Sequence, residues 1–538
     1  MKVFELASFP GRGDNVAMSR SLERIGLVSA STILSRVLGL MRDMLTTAVF
    51  GAGILNSAFI TAFTLPNLFR RLLGEGALTA AFIPIFTEEL EERGTAGAFE
   101  LLSKVVTRLL IVTGSLTFLA VLGALAVGRL SGLSERWYVA AELSAILFPY
   151  LVFICLAAAF AAALNALNRF VIPALTAVWL NLSIIICLGG VGLLVTDDPF
   201  ERIYWLCGGV LIGGLLQCVI PAFCLWREGW RPRWSISRSS RVDEIVRLMA
   251  PGVIGASIFQ VNILTSRALA YSLNDSAATL LYLANRQIEV PLGIFTIAIA
   301  TVIFPELSRF AARGDHSAMR AAFRRAMILT MVLAIPASIG LIILREPVIR
   351  LLFERGAFLT SDTRAMMPIM VVFGLGLPFY SYVTLLTRAF HAFKDTATPV
   401  RMAAVGFALN LSLSLLLMRT HGTLGLALAS NTAIVVQTVL LQLVMSRARS
   451  GFEFRPIAVV VLRQVTAALV MGLVLWISWR GLERVLEPFS ASLVAVVVLI
   501  PAGAIVYFGF LWLIGTEERE VMATVWNRIS GRGKSKAG

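Results

Sequence analysis

Apolar residues fall along this chain in long runs rather than in alternation. Run after run approaches twenty residues, and the segments between them are short and charged. A bilayer hydrocarbon core is about 30 Å thick and takes about 20 helical residues to cross. Backbone in lipid must satisfy its own hydrogen bonds, so such runs predict membrane-spanning helices. The alternating segments of about ten residues that mark a membrane β-barrel do not occur in the pattern. Spans are expected near 26–50, 54–83, 101–128, 138–164, 171–195, 203–226, 243–272, 278–304, 321–344, 367–390, 399–418, 423–446, 459–480 and 491–515. The fold class is therefore an all-α integral membrane protein with about fourteen helices.

Polar residues inside the runs carry the chemistry. At about 100° per residue, Ser35, Arg36, Gly39, Arg42 and Asp43 share one arc of the first span. In the second span Ser57, Thr61, Thr64, Asn67, Arg71, Glu75 and Thr79 share an arc, with Arg70 just off it. In the eighth, Thr279, Tyr282, Asn285, Arg286, Glu289, Gly293 and Thr296 do the same. A charge at a helix centre costs about 2.5–3.5 kcal/mol on insertion scales. Snorkelling to the interface accounts for one or two such residues, Arg42, Asp43 or Arg267 among them, but not for coherent arcs. Three polar faces cannot all meet lipid. They are expected to turn toward one another around a central, water-filled, cationic cavity. The guanidinium fork suits phosphate oxygens, so the expected cargo is anionic, with phosphate or pyrophosphate the best match. A second reading keeps the charges as buried Arg–carboxylate pairs that only fix helix packing. Arg36 and Asp43, which share a face, are the pair most open to it. Glycines at 39, 51, 53, 74 and 76 lie in or beside the charged helices, where they permit bending and close contact.

Charge then sets the orientation. Of 538 residues, 47 are Lys or Arg and 32 Asp or Glu, a net charge of +15. In a soluble protein that balance would suggest nucleic acid. Here most basic residues lie in one alternate set of loops that includes both tails, as the positive-inside rule requires. Both termini are expected in the cytoplasm, and nucleic acid is not an expected partner. The chain divides into a polar N-terminal segment (1–24), a first six-helix lobe (25–226) and a basic cytoplasmic linker (227–242). A second six-helix lobe (243–446), two further helices (459–515) and a basic tail (516–538) follow. The two lobes are pseudo-repeats. Asn168 to Pro173, then Asn181, resembles Lys394 to Pro399, then Asn410. Phe82-Ile83-Pro84 and Ile303-Phe304-Pro305 are expected to close the second and eighth spans in the same way.

Enzyme chemistry finds no footing. The chain has no G-x-x-x-x-G-K-[ST] loop and no H-E-x-x-H or Cys/His zinc pattern. No cofactor, metal or catalytic residue is expected. Cys155, Cys187, Cys207, Cys218 and Cys224 read as small core hydrophobes. The acidic run Glu88, Glu89, Glu91 and Glu92 reads as solvated loop.

The charged stretches themselves resemble the MurJ/MviN family of lipid II flippases, within the multidrug/oligosaccharidyl-lipid/polysaccharide exporter superfamily. The likeness is sharpest from Ser35 to Asp43, and it continues in Phe50-Gly51-Ala52-Gly53, Leu65 to Arg71 and Glu75-Gly76-Ala77. It recurs from Ala284 to Pro291, in Arg388-Ala389-Phe390, and at Asp395, Thr396, Thr398 and Pro399. The resemblance implies a multi-pass protein of the bacterial inner membrane with two lobes around a cationic cavity. It implies alternating-access transport of lipid II, an undecaprenyl pyrophosphate bearing a disaccharide-pentapeptide, from inner to outer leaflet. By the same resemblance Arg36, Arg42, Arg70 and Arg286 serve the head group, with Ser35, Asn67 and Thr279 beside them. Glu75 and Glu289, with Gly39, Asp43 and Asn285, shape and gate the cavity, and the last two helices form a groove for the lipid tail. Membrane lipids and the wall-synthesis machinery are the implied partners of a monomer. Two positions depart from the family: Ser57 and Asn285 stand where acidic residues are usual. Both changes remove carboxylates on which proton or cation coupling would rely. The alternatives are export of another polyprenyl-linked polysaccharide, drug/cation antiport, or a non-transporting scaffold role.

Overall fold

A computed structural model of the chain describes residues 12–72, 78–129, 132, 134–449, 451–453 and 455–514. Among these residues it contains helices and no strand. In chain order they are α1 (Arg12–Phe50), α2 (Ile54–Phe69), α3 (Leu78–Val127), α4 (Glu135–Leu147), α5 (Tyr150–Ala166) and α6 (Val171–Ile185). Then come α7 (Leu193–Val195), α8 (Pro199–Arg227), α9 (Ser240–Leu273), α10 (Ala277–Pro291), α11 (Ile297–Arg313) and α12 (His316–Ile343). The last six are α13 (Arg345–Phe353), α14 (Thr360–Ala392), α15 (Ala397–Ala448), α16 (Arg455–Val485), α17 (Pro488–Val494) and α18 (Ile500–Ile514). α1 starts at Arg12, so helix reaches back into the segment expected as a polar lead; the basic tail 516–538 lies outside the described residues.

Ten helices among the described residues are long and apolar enough to cross a membrane, or eleven when the two halves of α9, bent by 52°, count as one. The expected fourteen exceeds this count for physical reasons. α1 carries Arg36, Arg42 and Asp43 within its apolar stretch, and α2 has only 16 residues. α15 has 52 residues, about 78 Å of helix, far more than one crossing needs. It breaks at Gly422, where φ is 57° and ψ −133°.

One local feature of the expected repeat recurs in the backbone. Asn168 and Lys394 are the positive-φ non-glycine residues among those described, each with φ 62°. Each ends its helix with the same paired bonds. Asn168 N donates to Asn165 O and Arg169 N to Leu164 O; Lys394 N donates to His391 O and Asp395 N to Phe390 O. This is the Schellman closure, which usually takes glycine. Pro173 and Pro399 then lie in the first turns of α6 and α15, where a missing N–H costs nothing. Pro84 and Pro305 do not close their helices as expected. Both sit inside helix that runs on to a positive-φ glycine, Gly94 (φ 67°) and Gly314 (φ 68°), so the parallel survives the correction.

The chain forms two compact units: residues 1–46 with 61–257, and residues 47–60 with 258–538. In the first, α3 packs on α5, and α8 on both α5 and α6. Phe82, Phe86, Leu102, Phe160 and Leu225 form its core. Tyr150 is fully buried and donates to Gln217 Oε1 (3.2 Å), whose own amide donates to Thr176 O (2.8 Å). In the second unit α14 packs on α12 and α15, and α16 on α12 and α18. Polar links between these helices are short: Ser338 Oγ donates to Gly374 O (2.7 Å), and Thr296 Oγ1 to Ser381 Oγ (2.9 Å). With little hydrophobic force between helices in lipid, such bonds and close packing hold them together.

Candidate functional site

In the first unit the informative residues sit on α1, α2 and α6. Helical periodicity puts Arg42 and Asp43 on the polar side of α1, and the side chains complete the arrangement. Arg42 donates to Asp43 Oδ1 through Nη2 (2.7 Å) and Nε (3.1 Å). Its Nη1 donates to Asn181 Oδ1 on α6 (3.1 Å). Asn181 in turn donates from Nδ2 to Ser35 O on α1 (3.2 Å) and to Ala177 O (3.0 Å). One amide therefore orients the guanidinium and ties α6 to α1. Asp43 is buried and Gly39 beside it is buried too. The pairing differs from the one the arc suggested, since Asp43 takes Arg42 rather than Arg36. Adjacent residues do not face each other on a helix, but the arginine stem is long enough to fold back. Arg36 is exposed on α1, and no ion pair or side-chain hydrogen bond to it occurs among the described residues.

On α2, Pro66 is followed by a π turn at residues 70–72. A proline removes one N–H of the ladder, and a π turn widens it, so the chain here is re-aimed. Arg70 donates from Nε to Asn67 Oδ1 (2.7 Å), which brings two expected site residues together. Glu75 lies outside the described residues.

In the second unit α10 carries a polar cluster. Glu289 accepts from Arg286 Nη1 (3.1 Å) and from Asn285 Nδ2 (3.1 Å), the i, i+3 and i, i+4 partners of one helix face. The pair stays open, with side-chain exposure of 31% for Arg286 and 46% for Glu289. A further cation, Arg267 on α9, donates to Ala278 O (2.8 Å) and lies 5.3 Å over the Tyr282 ring. Thr279 is fully buried and shares a 2.8 Å hydrogen bond with Ser57, also fully buried. Nearby chain makes the same kind of closed contact. Ala357 N donates to Ala48 O (2.8 Å) between Gly51 and Gly356, which have φ 62° and 58°. A Cβ on Gly356 would overlap the Ala48 carbonyl, and one on Gly51 the Ala357 carbonyl. Only glycine permits this reciprocal approach.

Two features escaped the sequence reading. Asn181 was legible only as part of the repeat. Its counterpart Asn410 does parallel work in the other unit: it donates to Asn262 Oδ1 (2.7 Å) and Ser266 Oγ (2.9 Å) on α9. An amide in mid-span, after the matching proline turn of each repeat, was the available signal. The acidic run is no solvated loop. It continues α3, whose turn sets Glu88, Glu89 and Glu92 on one face, and Arg241 grips all three at 3.0, 3.1 and 2.8 Å. Glu89 is buried, which explains why it needs that partner. The five cysteines are free and buried or half-buried.

The family model described as lipid II flippase MurJ matches residues 46–498. A protein of Bdellovibrio bacteriovorus, named probable lipid II flippase MurJ, is 31% identical over 509 residues, 91% of this chain and 94% of its own length. A solved structure described as lipid II flippase MurJ in an inward closed conformation superposes with TM-score 0.74 and 25% identity, covering 93% of this chain and 99% of its own. An inward-facing multidrug-resistance MATE transporter of the MOP superfamily shares the fold at TM-score 0.65 and 12% identity, over 79% of this chain and 98% of its own.

Proposed function

We propose a mechanism from one premise: this chain belongs to the MurJ family of lipid II flippases. The protein is a transporter, not an enzyme, and it moves lipid II across the membrane. Its site is the cationic set on α1, α2 and α10. Arg36, Arg42, Arg70 and Arg286 bind the pyrophosphate and sugar head group, with Ser35 and Asn67 as polar neighbours. The observation that carries this reading is the pinned guanidinium of Arg42, held by Asp43 and Asn181 within a membrane helix. A fixed cation replaces water around an anion with little reorganisation. Arg36, exposed one to two turns away on the same arc, adds a second charge. Glu289 holds Arg286 until the head group competes for it.

The α1–α2 turn and the α13–α14 turn form an outer gate. It is closed by the Ala48–Ala357 bond and by Ser57 with Thr279, so Thr279 meets cargo only once that bond opens. Gly39, Asp43, Glu75, Asn285 and Glu289 shape the path. Fourteen passes result when α1, α2 and both halves of α15 each cross the membrane. The lobes 25–226 and 243–446 rock about the site in alternating access, and residues 459–515 guide the prenyl tail. The basic linker 227–242 and both termini face the cytoplasm, and the monomer works in the bacterial inner membrane beside the wall-synthesis machinery. The membrane potential, negative inside, favours outward movement of an anion by about 2.3 kcal/mol per charge per 100 mV.

The test is complementation of a bacterium depleted of its own lipid II flippase. Growth is scored together with outer-leaflet exposure of the precursor to an added cleaving enzyme. Wild type should restore both, and Arg36→Ala or Arg286→Ala, inserted at normal levels, should restore neither. Full rescue by the variants would remove these arginines from the site.

A further inference from the structure

Residues 228–239 join α8 to α9 without regular structure, yet they are pinned along α3. Trp230 is buried, its ring 5.3 Å from that of Phe160 and its indole N–H donating to Ser103 Oγ (3.1 Å). Further on, Ser235 N donates to Thr107 Oγ1 (3.2 Å) and Arg108 Nη2 to Ser237 O (3.3 Å). The segment therefore climbs α3 from Ser103 to Arg108. It stops one turn short of Leu110, Ile111 and Val112, where the exposed surface of α3 becomes apolar.

Held this way, the segment presents Trp234 and Ile236 outward at 63% and 64% exposure. Extended chain puts alternate residues on one face, so the two form a common patch. Arg227, Arg231, Arg233 and Arg238 are exposed in and beside the same segment. Arg231 is itself set by donation to Trp226 O (2.6 Å) and lies 4.7 Å over the Trp226 ring. Glu228, the single acid between Arg227 and Arg238, is taken up by Arg169 at 2.9 Å. The segment thus sets an apolar tip among exposed arginines, Arg238 sharing a cleft with Glu89, Glu92 and Glu100, at the level where the exposed surface of α3 becomes apolar. Indole rings favour the zone between head groups and acyl chains. Basic side chains at a membrane surface gain affinity for anionic lipid.

We propose that this linker is a binding site for anionic phospholipid head groups, with Trp234 and Ile236 inserted among the acyl chains and Arg227, Arg233 and Arg238 on the phosphates. The site anchors the first unit at the bilayer surface through a built element rather than a loose basic loop. The proposal rests on the membrane reading of the chain, and it depends neither on the cargo assignment nor on which face the linker occupies.

The experiment places the full-length protein in nanodiscs, which offer the same lipid on both faces. One set contains phosphatidylcholine alone and the other an equal part of phosphatidylglycerol. Backbone amide exchange is followed across residues 231–239, with the adjoining α3 peptide as the check on folding. Phosphatidylglycerol should slow exchange in the linker. The Arg227→Gln/Arg233→Gln/Arg238→Gln variant should lose that protection by about fivefold per arginine removed. The Trp234→Ser/Ile236→Ser variant keeps every charge and should lose protection in both lipids while α3 is unchanged. Equal exchange in the two lipids would overturn the proposal and hand the patch to an acidic protein partner. Wild-type protection in the triple glutamine variant would overturn it as well.

Discussion

Gly356→Ala is expected to loosen the outer gate. At Gly356, φ is 58°, and a left-handed conformation costs a residue with a Cβ about 1–2 kcal/mol. The new methyl would also overlap the Ala48 carbonyl, which is backbone and cannot rotate away. The Ala357 N to Ala48 O bond must then lengthen or break, a further loss of about 1 kcal/mol. Together these destabilise the closed contact by about 2–3 kcal/mol, or about 30- to 150-fold in the closed-to-open ratio. Gly314→Ala is the control. Its φ is 68°, but nothing lies within 4 Å of the added Cβ, so it carries the conformational cost without the collision. The assay is labelling of Ala52→Cys, a position buried beside the gate, by a membrane-impermeant thiol reagent applied from outside. Labelling should quicken by about the same 30- to 150-fold in Gly356→Ala and stay near the parent rate in Gly314→Ala. Equal rates in both variants would refute the gate assignment of the Ala48–Ala357 contact.

Asn181→Ala removes an acceptor from Arg42 and should weaken lipid II binding about tenfold, a loss typical of one hydrogen bond to a charged group. Asn410→Ala should lower thermal stability while leaving that affinity unchanged, and a shared loss of affinity would contradict the division. Arg241→Ala leaves buried Glu89 with the longer Arg93 contact (3.4 Å) beside two further carboxylates, so its melting temperature should fall below that of Arg93→Ala, which keeps the closer Arg241 bond (3.1 Å). Asp395 lies outside the spans. Burial raises its pKa, but hydrogen bonds from Thr398 and Ala397 outweigh this and leave it below the usual carboxylate value. Its stabilising effect is complete above about pH 4 and is lost as pH falls through the lowered folded value. Melting temperatures measured down to that range should therefore drop more steeply in wild type than in Asp395→Asn.

Long apolar helices, and the matching helix ends at Asn168 and Lys394, were legible because both rest on local pattern. Apolar length marks a crossing, and Pro173 and Pro399 open their helices as proline does anywhere. The ends were harder. Pro84 and Pro305 looked like stops, yet the helices continue to Gly94 and Gly314, because a proline inside a helix kinks it without always ending it. The polar arc on α1 picked out Arg42 and Asp43 but not their mutual pairing, since periodicity fixes directions and not the fold of a long side chain. The clasp on α6 was out of reach for a different reason. The contact between Asn181 and Arg42 spans well over a hundred residues of sequence, and only packing brings those helices together. Arg241 and its three carboxylates were hidden in the same way.

The central claim is that arginines on α1 and α10 carry the head group of lipid II. Its most direct test is purified full-length protein in liposomes loaded with labelled lipid II, with translocation read as label that becomes accessible to an enzyme on the far side. Wild type should translocate, and Arg36→Ala, Arg42→Ala and Arg286→Ala should each fall to the protein-free rate while still folded and inserted. Translocation at the wild-type rate by all three variants would contradict the account.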